Sequence, residues 1–356
     1  MSPSQTRTGI QVIRPGLAEI RSGLPYPRLR ADYLIAETKA FALNPTDNHH
    51  IDSLAGMGPI IGCDWSGIVR EVGDNVTRFK PGDVVFGGSH GGNSVEPEDG
   101  AFSDIITGKE HATMHKPEFL SFEEAASLGV GLATVGQVLY PVMKLPLPSP
   151  DIPANSGPTL LVYGGSSATG TIAIQAAKLS GCRVFATCSA ANSELVQSRG
   201  AEKWFEYHQS DFIEQIEAVG LAITHIVDCI GTEESGFHCS KILASTGGHY
   251  HSIKVPVPES FKRARPEESA VATTALGYTM FGERFEFPGV AEFPADPAME
   301  AFAKKWVLIA ERLVQTRRIQ PHPVEIRDGG LVKLLDSLQE IRTQPPRGRK
   351  IVYSQA

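Results

Sequence analysis

The segment from Leu160 to Gly181, "LLVYGGSSATGTIAIQAAKLSG", decides the fold class of this chain. A short apolar run ends at Tyr163, a turn of glycine and serine follows, and apolar residues then recur at helical spacing. A second strand-like run, "RVFATCS", comes next. A strand, a helix and a strand in this order form a βαβ unit, whose crossover connection requires parallel strands. The pattern predicts an α/β fold with a doubly wound parallel sheet, to which "HIVDCIG" and "STGGHYHSI" add later strands.

The turn between the first strand and the helix has the pattern of a nucleotide-binding loop. Residues 165–170, "GSSATG", follow the strand and open the helix, which is the context that a dinucleotide-binding fingerprint requires. The free N–H groups and the positive dipole end of such a helix bind a pyrophosphate. Ser167 replaces the middle glycine of the usual pattern, and its hydroxyl can itself donate to phosphate. We therefore predict a nucleotide site here; the alternative is a tight turn of the same sheet that binds nothing.

The end of the second strand indicates which dinucleotide binds. An NAD site places Asp or Glu about 20 residues beyond the glycine motif, where the carboxylate binds the ribose 2′-hydroxyl. In this chain the strand ends in small or hydroxyl-bearing residues, namely Cys188, Ser189, Ala190 and Ala191. Residues able to approach a phosphate follow, namely Arg199, Lys203 and Tyr207. The absence of a carboxylate favours NADPH; in the alternative interpretation, Ser189 is only a helix N-cap.

The first third of the chain is typical of β-structure. Short alternating runs such as "ADYLIAETKAFAL" are separated by Gly, Pro and Asp, which predicts an antiparallel β-barrel or sandwich. A helical pattern begins at Ser121, a candidate N-cap, and residues 297–315 predict another helix. Residues 141–158 are too rich in proline for a helix or central strand, and "RGRKIVY" predicts a last strand. Residues 254–296 give no clear assignment.

The composition limits the possible functions. A chain of 356 residues is long enough for two domains, and 41% hydrophobic and 21% charged residues are typical of a globular protein. The net charge of −7 argues against a nucleic-acid binder, and we see neither a secretory leader nor a membrane span. Five cysteines without a C-x-x-C pair exclude a four-cysteine zinc loop. We therefore expect a reduced, cytoplasmic protein.

Several further motifs occur in a fixed order that covers nearly the whole chain: "LNPTD", "IIGCDWSG", "FKPGDVV", "SLGVGLATVGQVLY", "LLVYGGSSATGT", "ATCSAAN", "VDCIG" and "LGYTMFG". This succession resembles the medium-chain dehydrogenase/reductase superfamily, and within it the zinc-independent quinone and enoyl reductases. More narrowly, the chain is similar to the fungal trans-acting enoyl reductases of the lovastatin enoyl reductase type, which partner highly reducing polyketide synthases.

The resemblance implies a fold, an activity and a partner. The fold would be a GroES-like β-barrel domain of residues 1–132 and 310–356 and a Rossmann-type NADPH-binding domain of residues 133–309. The activity would be NADPH-dependent reduction of an α,β-unsaturated polyketide thioester on the acyl carrier domain of a partner synthase. We expect a monomer, because charges and a proline in "GYTMFGERFEFPG" discourage edge-strand pairing. Two alternatives stay open: a stand-alone NADPH quinone or alkene reductase, and a non-catalytic NADPH-binding protein.

The resemblance also implies the site residues. The cofactor would contact Pro45, Thr46, Asp47, Asn48, Gly165, Ser166, Ser167, Ala168, Cys188, Ser189, Ala190, Ala191, Tyr207, Ile253, Lys350 and Ile351. The acyl chain would contact Ser127, Leu128, Gly129, Val130, Gly131, Leu132, Ala133, Thr134, Gly277, Tyr278, Thr279, Met280 and Phe281. His49 stands where many members have a lysine, and it is a candidate proton donor. The alternatives are that His49 is a solvated loop residue and that solvent provides the proton.

A zinc ion is not expected. Metal-bearing relatives have Cys at the position of Asn44, and His-Glu at the position of Cys63 and Asp64. A catalytic zinc needs three protein ligands and an open position, whereas Cys63 and Asp64 provide at most two and Asn44 is a poor ligand. Histidines that can in principle contribute are His49, His50, His111 and His115. We predict that this chain works without a metal.

Overall fold

The computed structural model describes residues 6–266 and 269–355. Its internal contacts divide the chain into two compact units. The first unit comprises the described residues of Met1–Ala133, Gly277–Arg317 and Pro321–Ala356, and the second comprises those of Thr134–Leu276 and Arg318–Gln320. The ends of the domain ranges expected from the sequence, residues 1 and 356, lie outside the described residues.

Strands and helices are distributed along both units. The strands are β1 (Thr6–Arg14), β2 (Leu17–Pro25), β3 (Tyr33–Ala42), β4 (Asp64–Val72), β5 (Val84–Gly88), β6 (Ile105–Lys109), β7 (Thr113–His115), β8 (Thr159–Tyr163), β9 (Arg183–Cys188), β10 (Lys203–Glu206), β11 (Ile223–Asp228), β12 (His249–Ser252), β13 (Val271–Thr273), β14 (Phe285–Phe287), β15 (Ala291–Phe293), β16 (Val324–Arg327) and β17 (Lys350–Ser354). The α-helices are α1 (Pro45–His49), α2 (Phe122–Ala126), α3 (Gly129–Gln137), α4 (Ala168–Leu179), α5 (Ser193–Ser198), α6 (Phe212–Glu217), α7 (Glu233–Ile242), α8 (Glu259–Ala264), α9 (Pro297–Gln315) and α10 (Gly330–Thr343). Short π-helical or 3₁₀ turns occupy His50–Leu54, Glu110–Ala112, Val138–Val142, Ala190–Asn192 and Gly277–Phe281.

The second unit contains the doubly wound sheet that the sequence predicts. Its strands are all parallel and lie in the order β10-β9-β8-β11-β12-β13. The chain moves outward in one direction from β8 to β10 and in the other from β11 to β13, so the order reverses between β8 and β11. Ligands of such sheets bind beyond the carboxyl ends of the strands at this reversal. Fully buried Phe185, Ile226 and Tyr250 belong to the apolar core of this sheet.

The first unit is built on a seven-stranded, mostly antiparallel sheet, as the alternating pattern predicts. The order is β16-β17-β3-β4-β5-β7, with β6 paired to β3, and only β16 and β17 run parallel. Trp65, Phe41, Phe102 and Leu334 are fully buried in the core beneath it. The last strand, β17, pairs with β3 in the middle of the sheet, so the predicted C-terminal strand completes the first unit.

The helical segment that follows the β-rich part begins where the sequence predicts. The Ser121 hydroxyl accepts the N–H of Glu124 at 3.1 Å, and the Glu124 carboxylate accepts the N–H of Ser121 at 2.9 Å, which is a reciprocal capping box. By length and composition, Phe122–Val142 is apolar enough to cross a membrane, but 72% of its most apolar window is buried in the structure. This burial is typical of a core helix, and such a segment is weak evidence for a membrane span.

The contacts of residues 277–309 differ from the sequence-based division, which assigned them to the nucleotide-binding domain. They group with the first unit. The Tyr33 hydroxyl donates to Glu283 at 2.7 Å, and the indole N–H of Trp306 donates to the Leu132 carbonyl at 2.9 Å. These residues are far from their partners in sequence, so hydrogen bonds of this kind leave no local pattern from which to draw the boundary. The assignment of separate functions to the two units stays a prediction.

Candidate active site

The turn after β8 presents unpaired N–H groups at the start of α4. The N–H of Gly165 donates to the Thr187 carbonyl at 2.8 Å, and the Ser167 hydroxyl accepts the N–H of Gly170 at 3.0 Å. Among the described residues, no acceptor is recorded for the N–H groups of Ser166, Ala168 and Thr169. Together with the dipole of this 12-residue helix, they form a cradle for an anion.

Two glycines allow this turn to pack tightly. A Cβ on Gly165 would lie 2.7 Å from the Ala186 Cβ, and a Cβ on Gly170 would lie 2.4 Å from the Gly164 carbonyl oxygen. The turn therefore packs directly against β9 and against itself, as a dinucleotide-binding turn does. The residues present fit the pyrophosphate of a nicotinamide dinucleotide. Gly165 is buried, whereas Ser166, Ser167 and Ala168 are partly exposed, so the serine and alanine positions are the ones open to a ligand.

The end of β9 leaves room for a 2′-phosphate. Cys188 is buried, Ser189 is partly exposed, and Ala190 and Ala191 are exposed. The Ser189 hydroxyl makes no capping bond to the backbone of the turn that it precedes, and it accepts the side-chain amide of Asn192 at 3.1 Å. No capping hydrogen bond of Ser189 therefore supports the alternative that this residue acts only as an N-cap.

A carboxylate that the sequence analysis missed lies beside this strand end. Glu206 pairs in register with Cys188 across the two parallel strands, and its carboxylate accepts the N–H of Ala190. Burial, and then the negative charge of Glu206, raise the pKa of Cys188 to about 12. The motif rule places the acidic residue at the end of β9, whereas this acid lies at the end of the neighbouring strand β10. Glu206 directly precedes Tyr207 in the sequence, and Tyr207 is itself predicted to bind the cofactor. This proximity is the signal that could have identified Glu206.

The predicted nicotinamide-contacting segment of the first unit forms α1. Its N-terminal turn is closed by the N–H of Asn44, which donates to Asp47 at 2.7 Å. Burial raises the pKa of Asp47 to about 7. Asn48 is also buried, and its amide donates to the Leu338 carbonyl at 2.9 Å. Of the four predicted contact residues, only Pro45 and Thr46 have exposed surface.

The histidine in contact with this segment is His50 rather than the exposed His49. His50 is entirely buried, and its Nε2 lies 2.6 Å from the Tyr278 hydroxyl oxygen. The same hydroxyl oxygen lies 2.8 Å from the Thr46 hydroxyl oxygen. Burial lowers the pKa of His50 to about 3 and raises the pKa of Tyr278 well above its ordinary value. The cluster is therefore neutral at physiological pH. The role of His49 as proton donor stays a prediction.

Neither Cys63 nor Asp64 is arranged as a zinc ligand. Burial raises the pKa of the Cys63 thiol, and the negative charge of the nearby Asp47 raises this pKa further. The Asp64 carboxylate accepts the N–H of Val130 at 2.7 Å and the ammonium of Lys350 at 2.5 Å. A cation is thus already bound to the carboxylate. Among residues 6–266 and 269–355, no group of three or more His, Cys, Asp or Glu side chains could hold a metal. These residues do not fit a zinc ion.

Lys350 is buried, and all its recorded hydrogen bonds lie within the first unit. Its ammonium donates to Asp64, to the Asn44 side-chain oxygen at 3.0 Å and to the Ser127 carbonyl at 3.5 Å. A cofactor phosphate would have to compete with these acceptors, and the predicted contact with the cofactor stays a prediction. Its neighbour Ile351 is buried in β17, whereas Ile253 after β12 is partly exposed.

The two predicted acyl-binding stretches differ in accessibility. Within residues 127–134, only Val130, Ala133 and Thr134 have exposed surface, and this spacing places them on one face of α3. Residues 277–281 form a 3₁₀ turn in which Met280 is buried. The other four residues keep some exposed surface, Tyr278 included, although the hydroxyl end of Tyr278 is desolvated. The Met280 carbonyl oxygen lies 3.1 Å from Nε2 of His111, which fixes the turn to the first unit.

Two family models match the chain. Residues 30–118 match the alcohol dehydrogenase GroES-like domain, and residues 168–285 match the zinc-binding dehydrogenase model. The first match covers the β-rich part of the chain, and the second begins at α4. Together they confirm the predicted combination of a GroES-like domain and a Rossmann-type domain. A nicotinamide dinucleotide is the cofactor that these families share.

Individual relatives extend over most of the chain. It is 38% identical over 354 residues to trans-enoyl reductase resD of Aspergillus sclerotiorum, which covers 95% of this chain and 97% of that protein. It is 43% identical over 275 residues to trans-enoyl reductase TOXD of Cochliobolus carbonum, covering 76% and 89% respectively. The solved quinone oxidoreductase of Coxiella burnetii superposes with a TM-score of 0.73 at 21% identity, covering 99% of this chain and 100% of that one. At this identity the structural likeness concerns the fold alone.

Proposed function

Because this chain belongs to the trans-enoyl reductases of the medium-chain dehydrogenase/reductase superfamily, we propose that it uses NADPH to reduce the α,β double bond of a polyketide enoyl thioester. The thioester would be carried on the acyl carrier domain of a partner polyketide synthase. The observation that carries this proposal is the relationship to trans-enoyl reductases along almost the entire chain, with 38% identity to resD over 95% of its length.

The reaction needs a hydride at the β carbon and a proton at the α carbon of the thioester. The reduced nicotinamide supplies the hydride when NADPH is bound. The N–H groups of Ser166, Ala168 and Thr169, which have no recorded acceptor among the described residues, would bind the pyrophosphate, and the dipole of α4 would stabilise its negative charge. These residues hold the cofactor in place, and the acyl site must orient the double bond and exclude water.

The residues proposed to contact the acyl chain are the accessible residues of α3 and those of the turn 277–281. Val130, Ala133 and Thr134 provide a small, mostly apolar surface on one face of that helix. Negative charge develops on the thioester oxygen during the reaction, so a hydrogen-bond donor at this oxygen stabilises the transition state. For the α-carbon proton, the exposed imidazole of His49 is one candidate source, and solvent water is the other.

Three features support NADPH over NADH. The strand end of residues 188–191 carries no carboxylate of its own, its last residues are exposed, and the Ser189 hydroxyl is available to a phosphate. The carboxylate of Glu206 acts in the opposite direction, although it is bound to the N–H of Ala190. Arg199, one of the predicted cationic neighbours, donates to the Gln320 side chain at 2.5 Å and would have to turn to reach a phosphate.

The proposal includes a monomeric enzyme in the cytoplasm. The five cysteines are free thiols, and all of them are buried, which suits a reducing compartment. Charged residues and a proline within residues 277–289 disfavour pairing of strand edges between copies.

The decisive experiment mixes the purified chain with NADPH and a pantetheine 2-enoyl thioester. We expect loss of the reduced-nicotinamide absorbance and one equivalent of saturated thioester by mass spectrometry. A simple quinone tested in parallel should react slowly. Turnover of the quinone without turnover of the thioester would contradict the proposal and favour a stand-alone quinone reductase. Tight NADPH binding with no oxidation by any acceptor would favour a non-catalytic protein.

A pair of glycine variants links the activity to the nucleotide turn. Gly165→Ala places a Cβ 2.7 Å from the Ala186 Cβ, which displaces the turn, and NADPH affinity should fall about 10-fold or more. Gly157→Ala in the same unit is the matched control, because its Cβ meets no atom closer than 3.3 Å. The control should bind NADPH as the parent does. Equal affinity in both variants would exclude this turn as the pyrophosphate site.

A further inference from the structure

A chain of hydrogen bonds connects the interior of the first unit to the outer surface of α1. The Tyr278 hydroxyl oxygen lies 2.6 Å from Nε2 of His50 and 2.8 Å from the Thr46 hydroxyl oxygen. His50 is entirely buried, whereas Thr46 is partly exposed. The chain therefore begins in the core and ends on a residue predicted to face the cofactor. Thr46 is already a predicted cofactor contact and Tyr278 a predicted acyl contact, but no step described above uses the hydrogen bonds between them.

The other nitrogen of His50 determines the direction of these bonds. Nδ1 is buried without a hydrogen-bond partner among the described residues, and a Cβ on Gly92 would lie 2.3 Å from it. Nδ1 thus faces the backbone of Gly92. A buried N–H without an acceptor is rarer and more costly than a buried lone pair without a donor. The tautomer that this network favours has its proton on Nε2. His50 then donates to Tyr278. The Tyr278 O–H has two neighbours that can accept it, the Thr46 hydroxyl and the Cys63 thiol, and we assign it to Thr46 because sulfur is the weaker acceptor. The Thr46 O–H is then left to donate outward.

The surroundings hold this chain neutral and rigid. The groups that face the Tyr278 hydroxyl include the Cys63 thiol and the Asp47 carboxyl, both buried. Burial opposes both an imidazolium at His50 and a phenolate at Tyr278, so the chain does not release a proton. The Tyr278 ring is stacked on the His90 ring with 4.2 Å between their centroids. The hydrogen-bond chain therefore holds a hydroxyl dipole in a fixed direction. Hydrogen-bond donors that stabilise a developing oxyanion are oriented in advance in the same way.

We propose that Tyr278 and His50 are positioning residues that orient the Thr46 hydroxyl as a hydrogen-bond donor to a carbonyl oxygen of a bound ligand. This inference rests on the proposed enoyl reduction, which offers two such oxygens: the nicotinamide carboxamide and the thioester carbonyl. Both are uncharged carbonyl oxygens that accept a hydrogen bond in the same way. A donor to the thioester carbonyl would also stabilise the enolate that forms when the hydride arrives.

The tautomer can be tested without any activity measurement. The ¹⁵N spectrum of the imidazole of His50, assigned with a His50→Gln variant, should give the pattern of a neutral ring with its proton on Nε2. A ring with its proton on Nδ1 would overturn the inference whether or not the chain reduces thioesters. This result is therefore independent of the proposed function.

The functional test uses Tyr278→Phe, Thr46→Val and Thr46→Ser. Removing the Tyr278 hydroxyl or the Thr46 hydroxyl should lower kcat/KM for the enoyl thioester about 10- to 100-fold, and Thr46→Ser should restore most of it. The double variant Tyr278→Phe/Thr46→Val should be no worse than Thr46→Val alone, because Tyr278 acts through Thr46. Additive losses, or a Tyr278→Phe variant with the parent kcat/KM, would overturn the inference.

Cofactor affinity separates the two possible acceptors. A weaker NADPH Kd, measured by fluorescence in both single variants, identifies the carboxamide, whereas an unchanged Kd with a lower kcat identifies the thioester carbonyl. Tyr353→Phe is the matched control, because it removes a buried hydroxyl that lies 2.6 Å from the Ser337 hydroxyl oxygen in the same unit. It should change neither quantity. If the parent binds NADPH but reduces no thioester, the proposed function fails, and the tautomer measurement still decides on the hydrogen-bond chain.

Discussion

The ammonium of Lys350 lies 2.5 Å from the carboxylate of Asp64, although 286 positions separate the two residues in the chain. Asp64 is 0% exposed and Lys350 is 5% exposed, so water screens this pair very little. Asn44 contacts both partners, accepting from Lys350 at 3.0 Å and donating to Asp64 at 2.9 Å. The pair connects β4 to β17.

Replacing Lys350 with methionine should destabilise the first unit strongly. Lys350→Met leaves a buried carboxylate without its counter-charge, and we expect a loss of about 3–5 kcal/mol in the free energy of unfolding, measured by urea titration. The double variant Lys350→Met/Asp64→Asn should recover part of this loss. Lys80→Met is the control, because its ion pair with Asp83 is exposed on the lysine side and should contribute less than about 1 kcal/mol. Equal effects of Lys350→Met and Lys80→Met would contradict the importance of burial.

The parallel-sheet part of the second unit is predictable because its signals are local. The strand β8, the glycine turn and α4 follow one another without interruption, so residue spacing alone identifies them. The same holds for the capping box at Ser121 and for the long amphipathic helix α9. Each of these depends on residues within a few positions of one another, which is the range over which hydrophobic periodicity and capping act.

The contacts within the candidate site cannot be predicted, because they join residues that are distant in sequence. His50 and Tyr278 are 228 positions apart, and nothing in "NHH" indicates which of the two histidines is buried. Glu206 was missed because its neighbour Cys188 lies on another strand. Residues 254–296 gave no assignment because their strands are only three residues long, too short for an alternating pattern.

The buried histidine of β12 should make stability depend on pH. His251 is 1% exposed, and burial lowers its pKa to about 4. Below pH 6.5 or so, the unfolded chain binds a proton at this residue that the folded chain does not accept. The free energy of unfolding should therefore fall with decreasing pH between about 6.5 and 4, by at most about 1.4 kcal/mol per pH unit for this residue.

The contribution of His251 is isolated by comparison with His251→Gln. The difference in unfolding free energy between the parent and this variant should be constant above pH 7 and should shift in favour of the variant as pH falls. Urea titrations at several pH values measure it. His208→Gln, a replacement of an exposed histidine, is measured in parallel as the surface control. A pH-independent difference for His251→Gln would show that the folded chain accepts the proton.

Removing the charge of Glu206 should strengthen NADPH binding. Glu206→Gln keeps an oxygen that accepts the N–H of Ala190 but removes a negative charge beside the predicted 2′-phosphate site. We expect the NADPH Kd to fall about 2- to 10-fold at low salt, with NADH unchanged, and the effect to shrink as salt is added. Glu202→Gln is the control, because that residue pairs with Arg183 at the opposite end of the same strands. An equal gain for NADH would place the 2′-phosphate elsewhere.

Replacement by alanine should affect protein stability differently at two glycines of the predicted acyl-binding stretches. A Cβ on Gly277 would meet no heavy atom within 4 Å, whereas a Cβ on Gly129 would lie 2.3 Å from the Gly87 carbonyl oxygen. Gly277→Ala should therefore keep the stability of the parent within about 0.5 kcal/mol, and Gly129→Ala should lose more than that. Thermal unfolding measures both.

The same methyl group tests whether Gly277 lines the acyl site. If it does, Gly277→Ala should lower kcat/KM for long enoyl thioesters about 10-fold or more relative to a four-carbon thioester, because one extra methyl group obstructs a fitted apolar surface. The NADPH Kd should stay at the parent value, which separates an acyl-site effect from a cofactor effect. Chain-length profiles with a series of pantetheine thioesters give the answer. An unchanged profile in a stable variant would remove Gly277 from the acyl site, while a uniform loss at every chain length would point to the position of the whole 277–281 turn.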